Sequence, residues 1–325
     1  MPFKFHEPRR HRVPKARCYR VTNWPEYDRG LVGRGDLRLW IAEEALVAWS
    51  APRRRTRGGQ ARFSDLAIET VLLVATVFRL PLRQAEGFVR SLMVMMGLDL
   101  AVPDHTTLAR RRRTLPIEMN APGRKGPVDL VLDSTGLKFH GPGEWDRLRH
   151  GEKRRAWRKL HLGVDAGTGE ILAHELTDGD TSDAARAGPL VEGAGGRIRS
   201  VTADGAYDGV PVYAAIRAAR PSRSPPKIII PPAARSIPIP GTPHGGSERE
   251  RHAATIGARG RMAWQKKSGY GRRALVETAI SRLKRHGGGR LTARTLGAQR
   301  AEVALRISAA NKSIRHTKPI TVRVA

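Results

Sequence analysis

Two aspartates stand where strand-forming residues belong. Asp133 interrupts the apolar run from Val128 to Thr135, and Asp204 directly follows Arg199-Ser-Val-Thr-Ala203. Aspartate is disfavoured in strands because it competes for backbone hydrogen bonds and resists burial. A carboxylate in such a place calls for a partner, commonly a metal ion. For either residue alone, a capped turn or a strand end is the simpler account. Asp165 and Asp208 look similar but fit a hairpin turn and a loop. A third carboxylate, Glu277, lies in Tyr270–Lys284, YGRRALVETAISRLK. On a helix at 100° per residue, Tyr270, Arg273, Glu277 and Lys284 fall within about 60° of one another. Leu275, Val276, Ala279, Ile280 and Leu283 take the opposite side, so the segment is amphipathic. By itself this face reads as solvated, with an Arg273–Glu277 pair one turn apart. Taken together, three carboxylates without a His or Cys pattern suit hard cations such as Mg²⁺ or Mn²⁺. Two such ions about 4 Å apart activate a water or hydroxyl and stabilise the leaving oxygen of a phosphodiester.

The elements that must position these residues follow from periodicity. After the Pro/Gly linker APGRKGP (121–127), helical spacing gives way to strand spacing. The spacing predicts a strand over 128–135 and a hairpin from 158–165 and 170–176, turning at Ala166-Gly-Thr-Gly169. A helix over 182–192, a strand over 199–203, a helix over 211–219 and a strand over 227–230 complete the order βββ-α-β-α-β. The residues between the first two strands read as a basic loop. A long Pro/Gly/Arg connection (231–265), read as an irregular insert, precedes the late helix. Upstream, Ser64 or Asp65 caps a helix, Pro81 starts a second that Gly97 ends, and Asp104 or Thr106 caps a third, HTTLARRRR. That arrangement is similar to a helix-turn-helix, with Thr106, Thr107, Arg110 and Arg111 as the DNA-facing residues; plain helical packing competes with it. Met93–Met96 is expected in the core. Residues 1–60 read as a basic arm with one short helix over 37–49, and 313–325 as a frayed tail.

Composition points to a polyanionic partner. The 325 residues carry 59 Lys and Arg against 30 Asp and Glu, a net charge of +29, and charge of that sign and size favours nucleic acid. Aromatic residues are only 5% of the chain, which disfavours stacking platforms for single strands. The single cysteine, Cys18, excludes a disulfide framework and a cysteine zinc site within one chain, and is consistent with a reducing cytoplasm. No signal peptide is evident, and the apolar run near Val71–Val77 is too short to span a bilayer.

VLDSTGLK (131–138), VTADGAYD (201–208) and the Tyr-x2-Arg-x3-Glu-x6-Lys spacing at 270–284 resemble the three acidic motifs of DDE transposases from bacterial insertion sequences. More narrowly, these motifs, WRKLHLGVDAGTGEI (157–171) and NWPEYDRGLVGRGDL (23–37) look like the insertion-sequence-five branch. The resemblance covers roughly residues 20–312. It implies an α/β ribonuclease-H-like mixed sheet flanked by helices over 127–312, preceded by a small all-α domain over 61–120. It also implies that Asp133, Asp204 and Glu277 hold two Mg²⁺ ions, with Mn²⁺ able to substitute. Tyr270, Arg273 and Lys284 would face the DNA backbone beside the cleaved bond. The expected partners are transposon ends and target DNA, with a homodimer or larger synaptic complex at the nucleoid. Ala203 departs from the pattern, since many relatives carry Gly there. The competing readings are a catalytically decayed, sequence-specific repressor and a related nuclease without strand transfer.

Overall fold

The strand order expected from periodicity is found. In a computed structural model, the described residues are 19–55, 58–117, 126–139, 157–219, 224–233 and 246–324. The N-terminal part of the basic arm, the loop at 140–156, most of the linker and the middle of the 231–265 connection lie outside them.

The chain divides into two units, residues 1–39 with 315–325 and residues 40–314. In the first, β1 (Tyr19–Val21) pairs antiparallel with β7 (Thr321–Arg323), and α1 (Trp24–Gly33) follows. The Asn23 side chain accepts from Ile320 N at 2.7 Å and donates to Lys318 O at 3.1 Å. The final residues are therefore a paired strand rather than a frayed tail, and part of the expected arm is ordered against it.

The second unit is built on a five-stranded sheet in the order β4-β3-β2-β5-β6. Its strands are β2 (Val128–Lys138), β3 (Trp157–Asp165), β4 (Ile171–Asp178), β5 (Ile198–Thr202) and β6 (Lys227–Ile229). β2–β3 and β3–β4 are antiparallel, whereas β2–β5 and β5–β6 are parallel. Gly169, at φ +79°, closes the β3–β4 hairpin, where a Cβ would also meet Ile314 at 2.8 Å. Side chains alternate across β2. Leu130 and Leu132 pack with α6 (Ala187–Gly193) and α7 (Val210–Ala219). Val131 and Leu137 pack instead with Val276, Ala279 and Leu283 of α9 (Ala274–Gly287), and with Val303 and Ile307 of α10 (Leu296–His316). A mixed sheet with helices on both faces is the ribonuclease-H-like arrangement. Along the β4 edge, buried Asn311 completes the pairing, donating to Ile171 O at 2.8 Å and accepting from Ile171 N at 2.9 Å.

Preceding the sheet are α2 (Glu43–Val47), α3 (Asp65–Val77), α4 (Leu82–Met95) and α5 (His105–Arg111). Ser64 caps α3, accepting from Ala67 N at 3.0 Å, and Asp104 caps α5. These helices belong to the same compact unit as the sheet. The 37–49 segment holds a 3-10 turn (Leu37–Leu39) and α2 rather than one helix. Of the methionine cluster only Met93 is core: Val94, Met95 and Met96 are exposed, because a run of four residues on a helix cannot keep to one face.

The largest departure is in the connection read as irregular. Glu248–Ser268 forms a helix, α8, opened by a reciprocal Ser247/Glu250 capping box and kinked at Gly260, φ +79°. Trp264, buried, donates from Nε1 to His252 Nδ1 at 3.0 Å, and His252 Nε2 lies 2.8 Å from Ile228 O. The proton on His252 is thus on Nε2, and the relay ties both halves of the kinked helix to β6. No helix among the described residues is long and apolar enough to cross a membrane.

Candidate active site

Asp133 sits midway along β2, opposite Leu162 of β3 and on the face that packs against α9. Asp204 follows β5 and opens a 3-10 turn, accepting from Ala206 N at 2.9 Å. Glu277 lies in the first turn of α9. Tyr270 and Arg273 are not on that helix: they form a separate 3-10 turn, Tyr270–Arg273. The single helical face expected for all four residues is therefore corrected. The left-handed Gly269, φ +76°, ends α8 and starts this turn.

Arg273 is the hub of the site. Nη2 donates to Asp133 Oδ2 at 3.0 Å, and Nη1 donates to Glu277 Oε1 at 2.6 Å. One guanidinium thus joins a strand aspartate to a helix glutamate far away in sequence. Burial pushes the Asp133 carboxyl above the ordinary aspartate range, and nearby Asp204 and Asp183 add to the effect; Ser134 N–H and Arg273 oppose it. Tyr270 packs its ring against Trp264, centroids 5.3 Å apart. Burial raises its phenol pKa, Arg273 counteracts the rise, and Asp204 and Asp133 reinforce it. Lys284 is half-buried further along α9, and no hydrogen bond ties it to the three carboxylates among the described residues.

Among the described residues, no three His, Cys, Asp or Glu side chains converge closely enough to hold an ion as they stand. Arg273 occupies the space between Asp133 and Glu277 instead. The donor set is nonetheless chemically suited to a hard divalent cation: all donors are carboxylate oxygens, and Asp133 is held partly desolvated.

Several residues here were not singled out from sequence. Tyr207 is buried, its hydroxyl has no hydrogen-bond partner among the described residues, and burial near Asp183, Asp133 and Asp204 raises its pKa beyond the usual range. Asp183 pairs with Lys159 Nζ at 2.9 Å. It also lies 3.1 Å from His161 Nδ1, a contact off hydrogen-bond alignment. Burial lowers the pKa of His161, so the ring is neutral and Lys159 supplies the opposing charge. The signal that was available for Asp183 is another aspartate at a turn, which alone says little. Asp165 and Asp208 are structural as expected. Asp165 accepts from Gly167 N and Thr168 Oγ1, and Asp208 takes a two-pronged Arg249 at 2.7 and 2.8 Å.

The upstream helices treat their expected DNA-facing residues unequally. Thr106 and Thr107 both donate their hydroxyls to Asp104, Thr107 at 2.9 Å, as part of the α5 cap. Arg111 is tied to Phe63 O at 3.1 Å and Asp65 Oδ1 at 2.5 Å, bracing α5 against the start of α3. Arg110 is exposed, and with Arg83, Thr106 and Arg113 it lines a concavity of about 640 Å³.

Two family models match the chain, both described as "Transposase DDE domain", one over residues 32–142 and the other over 124–312. A solved structure of piggyBac transposase, in a synaptic complex with hairpin DNA, aligns with a TM-score of 0.45 at 15% identity, covering 92% of this chain and 77% of that one. The second model spans the whole sheet, the 3-10 turn and α9, and so all three carboxylates; the chain belongs to the DDE transposase family.

Proposed function

We propose that the protein binds the terminal inverted repeats of its own insertion sequence and catalyses metal-dependent cleavage and strand transfer. The observation that carries this reading is the Arg273 hub, which gathers Asp133 and Glu277 from opposite ends of the domain. Asp133, Asp204 and Glu277 would hold two Mg²⁺ ions, with Mn²⁺ able to replace them. When bound, these ions supply activation of the attacking oxygen and stabilisation of the leaving one.

The chain's own groups do the rest. Arg273, released from the carboxylates, turns its two N–H edges to the phosphate oxygens beside the scissile bond, a geometry suited to a planar guanidinium. Tyr270, clamped against Trp264, and Lys284 hold the flanking backbone. In the first step a water oxygen bonds to phosphorus and the 3′ oxygen leaves, taking a proton. In the second, that 3′-hydroxyl attacks a target phosphodiester, loses its proton, and expels a 3′-hydroxyl from the target strand. No covalent enzyme–DNA link is needed. Arg110, with Thr106 and the basic concavity at α5, is assigned to repeat binding; Thr107 and Arg111 support it by fixing the helix. Two ends must be joined, so the working form is a dimer or larger assembly on nucleoid DNA.

The test is a cleavage-and-joining assay on labelled DNA carrying the repeats that flank the gene, with Mg²⁺ and with EDTA. Glu277→Ala is expected to abolish cutting while leaving end binding largely intact; unchanged cutting would sink the site assignment. Repeat-specific binding by the unaltered protein without any cutting would favour a decayed, repressor-like copy, and cutting without joining a nuclease.

A further inference from the structure

On the same face of the sheet as Asp133, four residues back along β2, lies a concavity of about 490 Å³ whose lining is strongly basic. Arg199 from β5, Lys227 from β6, Lys266 and Lys267 from the end of α8, and Arg272 from the 3-10 turn all border it, against one carboxylate, Asp129. Asp129 organises the site. It accepts from Arg199 Nε at 2.9 Å and also from Arg199 Nη2, from Ser200 Oγ at 2.7 Å and from Arg272 Nη1 at 2.7 Å. These partners, Arg199 foremost, bring its pKa down to about 2. Both arginine side chains remain 62% exposed. Asp129 therefore anchors two guanidiniums without exhausting their donors, and both border the concavity. Lys227, Lys266 and Lys267 are exposed and have no ion-pair partner among the described residues.

The bland account of Lys266 and Lys267 is that basic residues suit the C-terminal turn of a helix. It leaves the other three cations unexplained, since they reach the same hollow from other elements. Arg272 and Arg273 are consecutive, and their guanidiniums go to Asp129 and Asp133 respectively. One turn thus links the hollow to the hub of the candidate active site. At about 3.3 Å per strand residue, Asp129 and Asp133 are roughly 13 Å apart, a length that B-form DNA covers in about four base pairs.

We propose that this hollow is a second DNA-backbone site, which grips duplex phosphates about four base pairs from the reacting bond, independently of base sequence. It rests on the reading that DNA is cut beside Asp133. Phosphates draped over five cations would hold the duplex in line with the carboxylates while Arg273 changes partners.

The test uses the full chain and a 40-base-pair duplex of random sequence. Binding is followed by fluorescence anisotropy across a salt series, for the unaltered protein and for the triple variant Lys227→Gln, Lys266→Gln, Lys267→Gln. These side chains are exposed, so thermal melting should be unchanged, which separates folding from binding. The slope of log affinity against log salt is expected to fall by about 0.9 for each phosphate that is no longer neutralised, or about 2.7 for three. Affinity at 0.15 M salt should drop by at least tenfold. A triple variant whose slope and affinity match the unaltered protein would overturn the site, as would an unaltered protein that does not bind the duplex. Glu277→Ala is measured in parallel: intact binding with abolished cutting upholds the active-site reading whatever the triple variant does.

Discussion

Removing the Arg273 guanidinium is expected to tighten divalent metal binding in the absence of DNA while impairing catalysis in its presence. Arg273 bonds two of the three carboxylates proposed to hold the metal, so an incoming ion competes with those hydrogen bonds. The pair with Asp133 involves side chains 26% and 14% exposed. A charge-assisted hydrogen bond in such a setting contributes about 1.5 kcal/mol. The pair with Glu277, whose side chain is 60% exposed, adds only a few tenths. The total of about 1.5–2 kcal/mol corresponds to a tenfold to thirtyfold gain in metal affinity for Arg273→Ala.

Charge alone would give a change of the same sign, because removing a cation lowers repulsion of a dication. Arg273→Lys separates the two causes. It keeps the charge but loses the planar fork that spans both carboxylates. Occlusion by the fork predicts that Lys also tightens binding, by most of the alanine effect. Repulsion alone predicts no change. Free Mn²⁺ followed by electron paramagnetic resonance during a titration gives the dissociation constants without relying on turnover. Alanine and lysine variants both within twofold of the unaltered protein would refute the reasoning. With DNA present and metal saturating, both variants should cut far more slowly, since the guanidinium is then needed at the phosphate.

Glu302→Ala should cost about 3–5 kcal/mol in a urea melt, because it strands the Arg306 guanidinium, whose side chain is 4% exposed, without its carboxylate; Glu302 also accepts from Thr292 N and Ala293 N. A cost below about 1 kcal/mol would contradict that role. His174 is held neutral by burial, which takes its pKa from the usual 6.5 down to about 4. Its folded value is depressed, so the unfolded chain binds the extra proton first, and stability should fall progressively as pH drops from about 6.5 towards 4. His174→Met should flatten that acid limb in denaturant melts at several pH values; an unaltered pH profile would show that another group sets it.

The parts of this molecule that were legible in the sequence are those fixed by neighbours along the chain. Alternation set the faces of β2, so Asp133 was identifiable as a carboxylate among core residues. Ser64 and Asp104 marked helix starts because a cap is a local hydrogen bond, and Gly169 marked a hairpin because its backbone is left-handed. The β1–β7 pair was not legible: Thr22 Oγ1 donates to Ile320 O across 298 positions, and three-residue strands carry no periodicity to read. The α8 helix was hidden differently. Its Ser247/Glu250 capping box was on view, but the surrounding glycines and arginines suggested irregular chain, and Gly260 breaks the apolar period.

The Tyr270–Arg273 turn lies between these cases. The residue types of Tyr270, Arg273 and Glu277 and their spacing were readable, and they pointed to one helical face. What the fold adds is the change of winding at Gly269, which places Tyr270–Arg273 in a 3-10 turn ahead of α9. Arg273 reaches both Glu277 and Asp133, while Arg272 reaches Asp129. Two adjacent arginines thereby hold two points of one sheet face about 13 Å apart. The segment braces the sheet at both points, and a shift in this one turn would move both guanidiniums together.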